Sequence, residues 1–165
     1  MTIHRREKNK KEYDNIIKVL KYITINYNDI SIVLVKHKSE KLNYFYKNIR
    51  KVKSLYFLPY LNYYNFIYLM KYSYIIISDS GGIQEEASFI GKPLVLIRKI
   101  TDRQEVEKNN VIVSSYNQYK IINIINKLLT SKVYYKYKSK KTNKFGKGKS
   151  AEKIVETLNL LYEVI

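Results

Sequence analysis

Apolar positions along this chain switch repeatedly between two spacings. From Lys11 to Asn26 they fall at Tyr13, Ile16, Ile17, Leu20 and Ile23, the stripe of a helix buried on one face. "DISIVLVKH" then reads as a strand ending near Lys36, "SEKLNYFYKNI" as a helix, and "KSLYFLP" as a short strand stopped by Pro59. "NYYNFIYLMKY" is a further helix, "YIIIS" a strand, "IQEEASFI" a helix closed by Gly91, and "KPLVLI" a strand. "NNVIVSS" gives one more strand, followed by the helices "NQYKIINIINKLLTS" and "SAEKIVETLNLLYEV". The strands are solid apolar runs, not alternating ones, and helices separate them. That pattern predicts an α/β fold, a parallel sheet with helices on both faces. No repeat interrupts it, and only "YKSKKTNKFGKGKS" reads as linker-like, too short to divide two domains.

One turn stands out in that series. "SDSGGIQEEA", Ser78–Ala87, places Gly81 and Gly82 back to back where a buried strand hands over to a helix. Each weakens a helical turn by roughly 1 kcal/mol relative to alanine, so helix stability does not select them. Ligands of open parallel sheets bind at the carboxyl ends of the strands. There the unpaired N–H groups and positive end of a helix suit a phosphate, with Ser80 placed as the cap and bare backbone open to close approach. Tight packing of strand against helix would also explain a glycine pair. Neither GxGxxG nor GxxxxGK[ST] is present.

Composition narrows the alternatives. With 165 residues the chain is long enough for one domain with a real core, and with no cysteine it has neither disulfides nor cysteine-ligated zinc, which favours a reducing cytoplasm. The 2 histidines, His4 and His37, argue against a histidine-rich metal site. The first residues lack the apolar core of a secretory signal. The charge-free run Leu55–Met70, about sixteen residues with Pro59, Asn62 and Asn65 inside it, falls short of the ~20 apolar residues of a membrane span. A net charge of +17 invites a nucleic-acid reading. However, lysine, asparagine, isoleucine and the 18 tyrosines are inflated together while glycine and proline are scarce, the imprint of an AT-rich genome. The lysines are scattered and arginines few, so no specific nucleic-acid partner is expected.

Four segments in order, "TIHRRE", "YLNYYNF", "SDSGGIQEEASFIGKPLVLIRKITDRQE" and "NKFGKGKSAEKIVETL", resemble the non-hydrolysing UDP-N-acetylglucosamine 2-epimerases, and all 5 glycines fall inside them. The resemblance covers nearly the whole chain but only about the C-terminal half of the family's usual protein. It implies that residues 1–165 form a single UDP-sugar-binding, Rossmann-like domain of a two-domain GT-B-type architecture whose N-terminal domain is absent. The family's reaction converts UDP-N-acetylglucosamine to UDP-N-acetylmannosamine, eliminating UDP to leave a 2-acetamidoglucal and adding it back. It usually serves cell-surface polysaccharide supply, and no metal or redox cofactor is implied. Carried over by position, Ser80, Gly81 and Gly82 match the diphosphate turn and Glu86 the residue that holds the ribose hydroxyls. Phe66 matches a residue at the uracil pocket, Arg103 a phosphate-side arginine, and His4 an active-site histidine near the diphosphate. Each also has a structural reading: Phe66 as core, Glu85 and Glu86 as partners of the helix end, Arg103 as a loop charge and His4 as part of a loose terminus.

This chain departs from the family pattern at several places. Gln104 and Lys144 stand where prolines are usual, Lys147 replaces an aspartate, Leu61 and Asn62 fit only loosely, and the motif around His37 has eroded, leaving its role open. The family's paired carboxylates for proton transfer at C2 lie in the missing domain, so none is named here. The expectation is one half of a split or truncated epimerase that binds UDP but does not epimerise alone. The alternatives are a non-catalytic UDP-binding remnant and the nucleotide domain of a related glycosyltransferase. The last helix carries Ile154, Val155, Leu158, Leu161 and Ile165 on one face, which predicts association with an N-terminal-domain chain or with itself.

Overall fold

The computed structural model describes residues 1–5, 8–37, 42–50, 52–103, 109–146 and 148–162. Helices and strands alternate as α1 (Lys10–Asn26), β1 (Ile32–Val35), α2 (Asn43–Ile49), β2 (Leu55–Leu58), α3 (Tyr63–Tyr72), β3 (Ile76–Ser78), α4 (Gly81–Ile90), β4 (Leu94–Leu96) and β5 (Val111–Val113). Three helices close the series: α5 (Gln118–Thr130), α6 (Lys132–Lys138) and α7 (Ser150–Tyr162). Side-chain oxygens mark several helix starts. Asn9 and Glu12 form a reciprocal capping box on α1, and Asn62, Asn117 and Ser131 accept from the third helical amide of α3, α5 and α6.

All the strand pairings are parallel. β1 pairs with β2, and β4 lies between β3 and β5. The two groups are joined by a residue the hydrophobic pattern did not mark. Thr2 bridges Val35 at the end of β1 and Ser78 at the end of β3, so the order runs β2, β1, the Thr2 segment, β3, β4, β5.

Neighbouring residues of one strand enter different cores. Ile77 and Val95 pack with Ile16, Leu20 and Ile125 of α1 and α5, whereas Ile76, Leu94 and Leu96 pack with Met70, Ile83 and Ala87 of α3 and α4. Both faces are thus covered, which is why the strands carry no polar alternation.

Two expectations are corrected. α6 lies where no element was predicted, started by the Ser131 cap. The stretch from Tyr137 to Ser150 is also not a loose linker along its first part. Asn110 donates to the Lys138 carbonyl at 3.1 Å, and Thr142 N–H donates to Ser88 O at 3.0 Å. Gly91, at φ +80°, admits that chain against itself: a Cβ there would lie 2.9 Å from the Ser139 carbonyl. Residues 39–41 of the second predicted helix, Lys147, and Ile165 of the last one lie outside the described residues.

Candidate functional site

The carboxyl ends of β1, β3 and the Thr2 segment converge on one edge of the sheet. Just past β3 comes Asp79, fully buried, and it organises this edge. Its carboxylate accepts the backbone amides of His4 (3.1 Å) and Arg5 (3.1 Å), lies 2.7 Å from His4 Nδ1, and pairs with the Lys8 ammonium, whose side chain is equally buried. Burial alone would raise the Asp79 pKa. The His4 hydrogen bond and the Lys8 charge outweigh it and hold the carboxyl well below the usual carboxylate range. With Nδ1 turned to the carboxylate, Nε2 is the imidazole nitrogen left for ligand chemistry. Thr2 and Ser78 hydroxyls meet at 2.8 Å, and Ser80 N–H donates to Ser78 Oγ at 3.1 Å, which fixes the turn into α4.

Beside this turn lies a cleft of about 270 Å³ lined by, among others, His4, His37, Tyr60, Phe66 and Ser80. The His4 and His37 rings are 5.7 Å apart. Phe66 is half-buried, with one part on the α3–α4 core and one on the cleft, so the core and site readings both describe it.

The first turn of α4 is open. Ser80 occupies the N-cap position, but its side chain makes no capping hydrogen bond, contrary to expectation. A Cβ at Gly82 would meet no atom of the chain within 4 Å, and one at Gly81 only Asp102 Oδ2 at 3.9 Å. Neither has a positive φ. Tight packing therefore does not explain the glycine pair.

Glu86 and Arg103 sit to one side and do not line the cleft. Burial, and then the neighbouring Glu85 charge, push the Glu86 carboxyl above its ordinary range. Arg103 Nε donates to Glu85 at 2.6 Å, and Arg98 holds Asp102 at 2.9 Å. Thr101 meets the buried Gln84 side chain at 2.5 Å and accepts Arg103 N–H at 3.0 Å, pinning this loop to α4. Glu85 thus serves the arginine, and neither it nor Glu86 lies in the first helical turn.

The structure brings together His4, Phe66, Ser80 and the open turn at Gly81 and Gly82, with Glu86 and Arg103 adjoining. Asp79, Lys8, Gln84 and Thr101 were not singled out in sequence. An aspartate directly after the buried strand Ile76–Ser78 was the signal for Asp79. Gln104 and Glu105 lie outside the described residues. Among the described residues no three His, Asp or Glu side chains group as metal ligands, and no helix is long and apolar enough to cross a membrane.

A parallel sheet with helices on both faces and a glycine-opened helix at its carboxyl edge is an α/β architecture of the Rossmann-like class, and its structural neighbours are epimerases of the GT-B type. The profile of the UDP-N-acetylglucosamine 2-epimerase family matches residues 1–159, and the chain belongs to that family. It is 39% identical over 160 residues to the UDP-N-acetylglucosamine 2-epimerase of Campylobacter jejuni, covering 96% of this chain and 42% of the relative. The Escherichia coli K12 enzyme is 31% identical over 163 residues, covering 96% and 43%. Among solved structures, UDP-GlcNAc 2-epimerase of Neisseria meningitidis bound to UDP-GlcNAc superposes with a TM-score of 0.89 at 33% identity, covering 95% of this chain and 43% of that one. Staphylococcus aureus MnaA in complex with UDP gives 0.89 at 30%, covering 100% and 46%. The chain thus spans less than half the length of these relatives and matches roughly their C-terminal half.

Proposed function

We propose that this chain is the nucleotide-holding half of a cytoplasmic UDP-N-acetylglucosamine 2-epimerase and that it needs a first-half polypeptide for turnover. The reading is carried by the open first turn of α4 beside the His4–Phe66 cleft, where the chain's own packing gives no reason for Gly82. The N–H groups of that turn hold the diphosphate, Phe66 packs on the uracil face, and the Glu86 carboxylate accepts from the ribose diol. Arg103, already oriented by Glu85, contributes charge on the phosphate side.

Epimerisation breaks the bond from C1 to the diphosphate oxygen while a base takes the proton from C2, which leaves a glycal and UDP. Re-addition of UDP to C1, with a proton delivered to the other face of C2, gives the inverted sugar. This half stabilises the charge that gathers on the departing UDP. The helix end receives it without reorganisation, and His4, its Nδ1–H held by Asp79, donates from Nε2 to a phosphate oxygen in its imidazolium form. The carboxylates that move the C2 proton belong to the other half.

The test is titration with UDP, followed by incubation with UDP-N-acetylglucosamine and separation of the two epimers. UDP binding without epimerisation by the isolated chain is expected. Turnover by the chain alone, or no response of Ser80–Gly82 to UDP, would overturn it.

A further inference from the structure

The positive charge of this chain is unevenly spread. Residues 132–149 hold 8 lysines and none of the 14 acidic residues. Drift in base composition adds lysine everywhere, but it does not clear carboxylates from one stretch. α6 opens that stretch and lies along the sheet edge opposite the cleft, at the amino ends of β3 and β5. Tyr135 stacks on Tyr74, just ahead of β3, with ring centroids 4.0 Å apart, and its hydroxyl donates to the Tyr74 carbonyl at 3.0 Å. Asn110, just ahead of β5, holds the Lys138 carbonyl.

With one side of α6 fixed inward, the other is set. Lys132, Val133, Lys136 and Tyr137 share one helical side and are all exposed, Val133 by 83% and Tyr137 by 51%. Lys140 follows, its Nζ 5.6 Å from the centre of the Tyr137 ring, and Lys141 beside it is exposed too. Neither packing nor helix stability accounts for this face. Val133 and Tyr137 belong to neither core. Lys132 stands at the first helical position, where a cation opposes the positive end of the helix dipole.

We propose that this face docks on the surface of an anionic phospholipid bilayer. The lysine ammoniums meet headgroup phosphates, and Val133 and Tyr137 enter the interfacial layer between them. Charge and apolar tips together select this partner. The stretch has no arginine, the side chain whose planar fork suits nucleic-acid phosphates and bases, and apolar side chains stand among its lysines. A bilayer surface takes both. The cleft and the open turn of α4 lie at the other edge of the sheet, so docking leaves them free for UDP.

The experiment sediments the full chain with phosphatidylcholine vesicles, with and without roughly one part in three of phosphatidylglycerol. Binding to the anionic vesicles alone is expected, and it should weaken as salt rises. Each lysine is worth about a fivefold change in affinity, so Lys136→Glu with Lys140→Glu should weaken binding at least twentyfold. Lys18→Glu with Lys21→Glu, exposed on α1, changes the net charge equally and should weaken it far less. The chain has no tryptophan, so Tyr137→Trp supplies a single reporter whose emission should shift to the blue on anionic vesicles only. Equal binding to both vesicles, equal loss from the two lysine pairs, or an unmoved tryptophan emission overturns the proposal. Duplex DNA that strips the chain from vesicles at equal phosphate concentration assigns the face to nucleic acid and overturns the stated occupant. UDP affinity and Tm are measured on every variant, and neither should change with the Lys136 and Lys140 pair. UDP binding without vesicle binding removes the docking face and leaves the half-enzyme reading, whereas the reverse removes only that reading.

Discussion

His4 and Asp79, 75 positions apart in sequence, are bound twice over, by the imidazole Nδ1 and by the backbone amide of His4 on one carboxylate. That single contact ties the first residues of the chain to the turn that starts α4. The fully buried Lys8 ammonium shares the carboxylate, so the group is a desolvated ion pair with several additional hydrogen bonds. Removing one partner from such a site leaves an uncompensated charge, which costs about 3–5 kcal/mol. Asp79→Asn should therefore lose stability on that scale in urea unfolding. Its folded pKa is depressed, so the Asp79 contribution is full above the unfolded carboxylate value of about 4 and declines as pH falls below it. Wild type should show this acid-side loss, and the Asp79→Asn variant should lack it.

The two kinds of glycine in this chain should respond in opposite directions. Alanine at Gly82 meets no atom of the chain and has the better helix propensity, so Gly82→Ala should leave stability unchanged or raise it by up to about 1 kcal/mol. The same methyl group would stand on the proposed diphosphate turn, and UDP affinity should fall at least tenfold. Gly91→Ala reverses the result. At φ +80° with a backbone carbonyl 2.9 Å from the new Cβ, it should destabilise by more than about 1 kcal/mol and change UDP affinity little. Thermal unfolding with and without UDP separates the two.

Glu86 should be a site where the unliganded chain loses and the liganded chain gains. Burial first, and then the Glu85 charge, raise its pKa, so its ionised form is disfavoured by folding at neutral pH and the strain is relieved as pH falls through the raised value. Glu86→Gln should therefore raise the Tm of the free chain at pH 7, with the difference shrinking toward pH 4. Loss of charge-assisted hydrogen bonds to a ribose diol should weaken UDP binding by about ten- to a hundredfold, in line with ~1.5–3 kcal/mol for such bonds. Tm profiles across pH and calorimetric titration with UDP check both effects.

Local periodicity carried most of the architecture, because strands buried on both faces must be apolar throughout and helices on either side must show a stripe. What it missed depends on contacts distant in sequence. Thr2 completes the sheet only because Val35 and Ser78 lie on either side of it, and no pattern of two residues marks a strand. Lys132–Lys138 mixes lysine and tyrosine without a clear stripe, and its helix is set by the Ser131 cap and by Asn110 reaching Lys138. At the candidate site, the glycine pair after Ser80 was legible because two adjacent glycines break the pattern of the strand and helix on either side. The role of Asp79 was not, since its three partner residues lie more than 70 positions away.

The last helix separates association from stability. α7 buries none of its described side chains, and Ile154, Val155, Leu158 and Leu161 are each more than half exposed along one face. Replacing Leu158 and Leu161 together by lysine removes apolar surface that contacts no core, so the unfolding free energy should change by no more than about 0.5 kcal/mol per site. The same change should abolish association through this face. Light scattering of the wild-type chain should report a species larger than one chain at micromolar concentration, and the doubly substituted chain a monomer. A wild-type chain that scatters as a monomer at all concentrations would remove the apolar face of α7 as a contact between copies.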